Sequence, residues 1–224
     1  MNILGKFTAG AARFGLEVMC RIDKSQLKKV PRRGPLIAYS NHTGSVEVPI
    51  LFTELLPRPV TGLAKIESWD NWFLHRIFNL WEVIPIRRGE LDMTAMRRSF
   101  KALEEGYILG ISPEGTRSKT GALIQAHPGI AMLALHSRAP LLPIANWGGE
   151  KFMSNLKRLK RTDFKIAVGS PFTLDTHGER VSAEVRQKIA DEMMYEVARL
   201  LPEQYRGAYS DLEHATRDYL KYPS

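Results

Sequence analysis

Pro35-Leu36-Ile37-Ala38-Tyr39-Ser40-Asn41-His42-Thr43-Gly44-Ser45-Val46-Glu47 joins an apolar run to a short polar loop and then to the start of a helical pattern. The run Pro35 to Tyr39 reads as a short buried strand, which puts His42 at the mouth of a sheet, where open α/β proteins bind their ligands. Five residues along a helix turn through about 500°, so His42 and Glu47 cannot share a helical face. They can meet only if His42 stays on the loop and Glu47 enters the first turn of the next helix, where the helix dipole favours a negative charge. Glu47 would then fix one imidazole nitrogen and leave the other as a general base. A histidine before a helix also serves as a structural or capping residue, and both readings stand on these residues alone.

Outward from this stretch the chain alternates short apolar runs with amphipathic ones. Strands are expected at Gly15–Ile22, Val60–Ala64 (delivering Lys65), Glu82–Ile86 (ending at Arg87-Arg88), Tyr107–Ile111, Leu141–Ala145 and Phe164–Val168. Helices are expected from Ser45, as cap, to Leu56 and from Asp92, as cap, to the stop at Gly106, with Met93, Met96, Phe100 and Leu103 as buried stripe. Two more run from Pro128-Gly129 to Arg138 and from Val181 to Leu201, the latter with Val185, Ile189, Met193 and Val197 inward. The alternation predicts an α/β fold: a mixed, largely parallel sheet flanked by helices. Trp69, Trp72, Phe73, Ile77 and Phe78 read as core, tunnel wall or interfacial aromatics. Residues 1–14 place Ile3, Leu4, Phe7, Ala11 and Phe14 at helical spacing, fitting either an amphipathic, membrane-associating segment or a helix packed on its own core. Residues 15–224 are then one domain, with disorder confined to the ends.

The 224 residues carry a net charge of +8, with a pI near 9.6, which points to an anionic partner: nucleic acid, a phosphorylated small molecule or an acidic membrane surface. The excess is concentrated. Residues 1–33 hold eight basic side chains against Glu17 and Asp23, and residues 151–165 hold six against Asp163 alone. The second cluster lacks the interleaved aromatics of a single-strand binder, so no nucleic-acid partner is expected; it suits anionic lipid headgroups or a solvated face. The single Cys20 excludes an internal disulfide and fits a reducing compartment. Apolar runs fall far short of the roughly 18 residues of a spanning helix, and Lys6, Arg13 and Glu17 break any signal-peptide core. The expected location is the cytoplasmic side of a membrane, peripheral or monotopic, with no transmembrane span. No histidine has metal-ligand spacing and no G-x-S-x-G elbow is present, so neither a metal site nor a serine hydrolase is expected.

Four expected strand ends carry polar residues: His42 with Glu47, Lys65, Arg87 with Arg88, and Glu114-Gly115-Thr116-Arg117-Ser118. Ligands bind beyond the carboxyl ends of such strands, so these groups can share one cleft. Arginine suits a phosphate through its planar two-donor fork, and Gly115 lets the backbone approach an anion. Glu114 beside an anion would hold an arginine or a substrate hydroxyl, or cap a turn.

The ordered set Asn41-His42-x4-Glu47, Ile86-Arg87-Arg88, Pro113-Glu114-Gly115-Thr116-Arg117-Ser118 and Leu142-Pro143-Ile144 resembles the four motifs of the glycerophosphate and lysophosphatidate acyltransferase family, over residues 15 to 170. The resemblance implies the acyltransferase fold and transfer of a fatty acyl group from an acyl thioester to the hydroxyl of a lysophosphatidate-type acceptor, in phospholipid synthesis. Glycerol 3-phosphate, another lysophospholipid or a glycolipid headgroup are alternative acceptors, and a non-catalytic lipid-binding homologue is the alternative role. It implies His42 as base and Glu47 as its orienting partner. Arg87, Arg88, Glu114, Gly115, Thr116 and Arg117 would hold the acceptor phosphate; Lys65, Leu142, Pro143 and Ile144 would serve the oxyanion and acyl side. No cofactor is implied, and acyl-CoA or acyl-carrier protein would be the donor. The sequence departs from the family pattern at Glu47, where aspartate is usual, and at Ser112, where an apolar aromatic is usual.

Overall fold

The computed structural model describes residues 1–89 and 92–223. Seven strands form one sheet: β1 (Cys20–Asp23), β2 (Leu36–Ser40), β3 (Val60–Lys65), β4 (Ile84–Ile86), β5 (Ile108–Ile111), β6 (Leu141–Trp147) and β7 (Thr162–Val168). Their order is β1-β7-β6-β2-β5-β3-β4, and every pairing is parallel except β6 with β7. The sheet is therefore mixed and largely parallel, as the alternation of runs predicts. β2 to β6 all finish at one edge. β7 and β1, running the other way, begin there.

Both faces of the central strands are apolar, the mark of a sheet covered on both sides. Leu36, Ala38, Ile108, Leu142 and Ile144 point to one face, where they meet Ala9 and Leu16 of α1 (Ile3–Met19) and Ile50 and Phe52 of α2 (Glu47–Glu54). Ile37, Tyr39, Leu109, Leu141 and Ala145 point to the other. That face is covered by α4 (Met93–Glu104), α5 (Gly129–Ser137) and α7 (Ala183–Leu200), the last through fully buried Ile189, Met193 and Val197. The Tyr39 hydroxyl donates to the Met193 carbonyl at 3.0 Å, fixing α7 to β2 inside the core.

Several local expectations need correction. Gly15 to Met19 is helical, not extended: α1 continues through Gly15, and only Cys20–Asp23 is a strand. An interior glycine costs about 1 kcal/mol in helix propensity, and burial of Leu16 against the sheet outweighs it. The boundary expected after residue 14 thus falls inside one helix. Its stripe does not pack on the protein's own core. Gly5, Ala9 and Leu16 face inward, while Ile3, Phe7 and Phe14 are more than two-thirds exposed. Ser45 does not cap α2; Val46 occupies that position without a side-chain bond, and Glu47 is the first helical residue. Asp92 does cap α4, accepting from the N–H groups of Thr94 and Ala95. The inward face of α4 carries Ala95, Ser99 and Leu103, with Met96 and Phe100 partly buried against the same core as expected and Met93 alone of the expected stripe half exposed. The aromatics expected in the core or a tunnel divide. Trp72 and Phe73 open α3 (Trp72–Leu80) and stand out in solvent, whereas Trp69, Ile77 and Phe78 are half-buried.

Residues 202–223 are folded onto the domain, where disorder at the ends was expected. A two-stranded sheet pairs β8 (Thr173–Leu174) with β9 (Leu220–Lys221), and Tyr205, Tyr209 and Tyr219 are buried against α7. Glu192 and Glu196 hold this tail: Glu192 accepts from Thr216 Oγ1 and from the N–H groups of Asp218 and Tyr219, and Glu196 takes a two-bond fork from Arg217.

Candidate active site

His42 leaves the carboxyl end of β2, the strand at the middle of the sheet, and Glu47 follows in the first turn of α2. Their side chains meet: His42 Nδ1 lies 2.5 Å from Glu47 Oε1. The same oxygen accepts from the Gly44 N–H at 2.9 Å, so the carboxylate also closes the loop between the two residues. Glu47 is almost fully buried. Burial opposes its ionisation, yet the hydrogen bonds from His42 and Gly44 outweigh burial and hold its carboxyl below the ordinary value. An ionised carboxylate can only accept, so Nδ1 must carry the proton in this bond and Nε2 keeps a free lone pair. In its neutral form the ring can therefore accept a proton only at Nε2.

Two further pieces of chain hold the backbone of His42. Its N–H donates to Glu114 Oε2 at 2.6 Å, and its carbonyl accepts from the Ser118 N–H at 2.8 Å. Both partners belong to the loop after β5, so the Pro-Glu-Gly-Thr-Arg-Ser run is bonded directly to the histidine it was expected to face. The other Glu114 oxygen accepts from the Ile124 N–H at 2.9 Å. Glu114 is fully buried, and burial pushes its carboxyl up to about 7 against the two backbone donors. This corrects the expectation that Glu114 holds a phosphate, an arginine or a substrate hydroxyl. Both its oxygens are engaged by backbone, one of them by the His42 N–H, which fits the turn-capping alternative.

A third support was not legible as a motif. Asn41 and Asn146, at the ends of the paired strands β2 and β6, are both buried and bond reciprocally. Asn41 Oδ1 accepts from the Asn146 N–H at 2.9 Å, and Asn41 Nδ2 donates to the Asn146 carbonyl at 2.8 Å. Asn146 Nδ2 returns a bond to the Asn41 carbonyl at 3.0 Å. The residue preceding His42 is thus locked to the neighbouring strand.

The cationic residues are placed differently. Thr116 and Arg117 are exposed at the tip of the loop after β5, one strand from β2. Gly115 has a left-handed φ of 64°, and a side chain there would strike the His127 ring, which stands 2.7 Å from the position a Cβ would take. His127 lies in no motif, yet its ring borders this loop and its N–H donates to the Pro113 carbonyl at 2.9 Å. Lys65 ends β3, two strands from β2, and Arg87 and Arg88 follow β4, three strands away; all three side chains are exposed. At about 4.8 Å per strand, Arg87 and Arg88 start roughly 14 Å from the strand of His42. Arg117 starts about 5 Å from it. Leu142, Pro143 and Ile144 are buried within β6. Leu142 and Ile144 belong to the core on the α1 and α2 face, and Pro143 packs against Gly169, so all three sit in the sheet interior rather than on an open acyl-facing wall.

The sequence model of the Acyltransferase family matches residues 21–147, more than half of the chain. This chain belongs to the acyltransferase family. It is 26% identical over 166 residues to the 1-acyl-sn-glycerol-3-phosphate acyltransferase of Bacillus subtilis (strain 168), covering 74% of this chain and 81% of that protein. It is 25% identical over 127 residues to the protein of the same description from Borreliella burgdorferi, covering 56% of this chain and 50% of that one. The chain thus spans most of the Bacillus protein but about half of the Borreliella one. The structure of the 1-acyl-sn-glycerophosphate (LPA) acyltransferase PlsC from Thermotoga maritima superimposes with a TM-score of 0.60 over 94% of this chain and 78% of that one. At 19% identity that likeness shows a shared fold. The mixed sheet with its flanking helices is therefore the acyltransferase fold that the four motifs imply.

Proposed function

We propose that this protein transfers a fatty acyl group from an acyl thioester to the hydroxyl of a lysophosphatidate-type acceptor. The observation that carries this reading is the His42–Glu47 pair, its imidazole set to accept one proton and its backbone bonded on both sides by the Glu114–Ser118 loop. The acceptor oxygen attacks the thioester carbonyl carbon as His42 Nε2 takes the hydroxyl proton. The tetrahedral intermediate then collapses, the C–S bond breaks, and the same proton passes to the departing thiolate. Glu47 stays ionised and stabilises the imidazolium between these steps. The names of the Bacillus and Borreliella relatives support lysophosphatidate as acceptor.

Arg117, with Gly115 and Thr116, is the primary arm for the acceptor phosphate, because its strand neighbours that of His42. Arg87 and Arg88 reach the phosphate from farther out, and Lys65 lies on the side of the thioester. The thioester is already activated and the arginines meet the acceptor charge, so the mechanism uses acyl-CoA or acyl-carrier protein as donor and needs no cofactor. Among the described residues no helix is long and apolar enough to cross a membrane. The outward stripe of Ile3, Phe7 and Phe14, together with exposed Trp72 and Phe73, supports peripheral attachment to an anionic bilayer in which the acceptor resides.

The test follows thiol release from acyl-CoA, and product from acyl-carrier protein, against lysophosphatidate, glycerol 3-phosphate and other lysophospholipids. The proposal expects turnover fastest with lysophosphatidate. Folded protein that turns over none of them, with vesicles present, contradicts it.

A further inference from the structure

The turn between α6 (Phe152–Lys157) and β7 exposes Leu159 at 94% of its surface and holds it at a left-handed φ of 52°. That conformation is rare for a bulky L-residue, and such an outlier asks for a functional reason. The turn is built rather than loose. Asn155 accepts from the N–H groups of Arg158 and Lys160, Leu156 accepts from that of Leu159, and Asn155 Nδ2 bonds Thr162 Oγ1 at 3.2 Å. Phe152 anchors α6 in the core, while Met153 and Leu156, three residues apart on its outer face, are exposed beside Leu159.

The charges around this apolar tip are sorted. Arg161 donates to the carbonyls of Glu17 and Cys20 at 2.6 and 2.7 Å, tying the turn to the end of α1, and Lys165 pairs with Asp23. Lys151, Lys157, Arg158 and Lys160 are exposed and make no ion pair among the described residues. The tip thus offers free cations around an apolar point. β7 and β1 begin at the sheet edge where β2 ends, so the tip, the exposed Phe14 and Val18 near the end of α1, and His42 all lie along one edge.

We propose that the α6–β7 turn is a second membrane contact, separate from the outer stripe of α1. Leu159, Met153 and Leu156 enter the interface of a bilayer while Lys157, Arg158 and Lys160 meet the phosphates of its anionic lipids. This rests on the membrane-attached reading above and deepens it: two contacts meeting near Arg161 hold the His42 edge against the lipid surface. Apolar side chains ringed by unpaired cations match an anionic bilayer, which offers hydrocarbon beneath negative charge. An acidic protein would match the charge but leave the 94% exposed leucine without a stated pocket.

Cys20 is buried, so Leu159→Cys can be labelled selectively with an environment-sensitive dye and mixed with phosphatidylglycerol or phosphatidylcholine vesicles. Lys101→Cys, exposed near the end of α4 at the opposite sheet edge, is the control. The expected result is a blue-shifted, brighter dye at residue 159 with anionic vesicles only, no change at residue 101, and anionic-vesicle affinity about fivefold weaker for each of Arg158→Ala and Lys160→Ala. A dye at residue 159 that stays in water while the protein floats with vesicles overturns the second contact and leaves attachment through α1 standing. No flotation with either vesicle overturns the membrane reading with it. A dye response to acidic acyl-carrier protein but not to vesicles overturns the membrane contact in favour of a protein one.

Discussion

Along one sheet edge the β2–β6 side and the β3–β4 side are made differently. On the first, Asn41, Glu47, Glu114 and Asn146 are buried and their hydrogen bonds converge on His42 or on the residue before it. On the second, Lys65, Arg87 and Arg88 are exposed, and among the described residues no ion pair holds them; the Arg87 N–H donates to Asp92. The His42 imidazole is therefore oriented by the fold itself, whereas the proposal leaves the exposed cations to be ordered by a bound acceptor. Orientation fixed in advance lowers a barrier directly, and flexible arms contribute mainly to affinity. The difference predicts that substitutions on the first side strike turnover and stability, and those on the second strike the apparent affinity for a phosphorylated acceptor.

The sharpest challenge to this contrast is Glu47→Gln. A glutamine of the same shape can present its amide N–H to His42 Nδ1, which stabilises the tautomer whose Nε2 is already protonated and removes the base. We expect kcat to fall by about 10³-fold or more, with little change in apparent acceptor affinity. A loss in affinity with kcat retained places Glu47 on the binding side instead.

Glu114 comes next. Its folded carboxyl sits near 7 against an ordinary 4.5, so the folded protein holds this proton more tightly than the unfolded chain. Its contribution to stability is full below pH 4.5 and is lost as pH rises to 7, on the order of 3 kcal/mol. Glu114→Gln cannot titrate and leaves one backbone N–H poorly matched, which costs about 1–3 kcal/mol. The penalty relative to the parent protein should be larger at pH 5 than at pH 8 in denaturant unfolding. A penalty independent of pH counts against the buried, proton-holding carboxyl.

Smallest are the exposed arms. Arg117→Ala should raise the apparent KM for a phosphorylated acceptor about tenfold, the worth of a charge-assisted bond, without moving the melting temperature. Arg87→Ala, from a strand two places farther from β2, should do less. Equal effects would mean that the phosphate lies between the two arms rather than beside Arg117.

How much of this was legible depended on sequence distance. His42 and Glu47 are five residues apart, so helix geometry alone constrained how they could meet, and the central strand was written in Leu36 to Tyr39 as an apolar run. Asn146 could not be found that way: it lies 105 residues from Asn41, and a single asparagine at a strand end has no local signature. Glu114 stands among cationic residues, where a carboxylate reads either as a ligand contact or as a turn cap, and only its burial against backbone donors separates the two. The strand expected at Gly15 to Met19 failed because a glycine in a short apolar run resembles a strand start, while the packing of Leu16 that keeps it helical is tertiary. The exposed face of α1 was visible as a period, but only the fold could say which side turned outward.

His42→Ala in the thiol-release assay, at saturating lysophosphatidate and with vesicle binding and thermal unfolding measured on the same protein, tests the central claim most directly. Turnover should fall by about 10²- to 10⁴-fold while vesicle binding and folding stay near those of the parent. Acyl transfer by His42→Ala at the parent rate would contradict the assignment of His42 as the base.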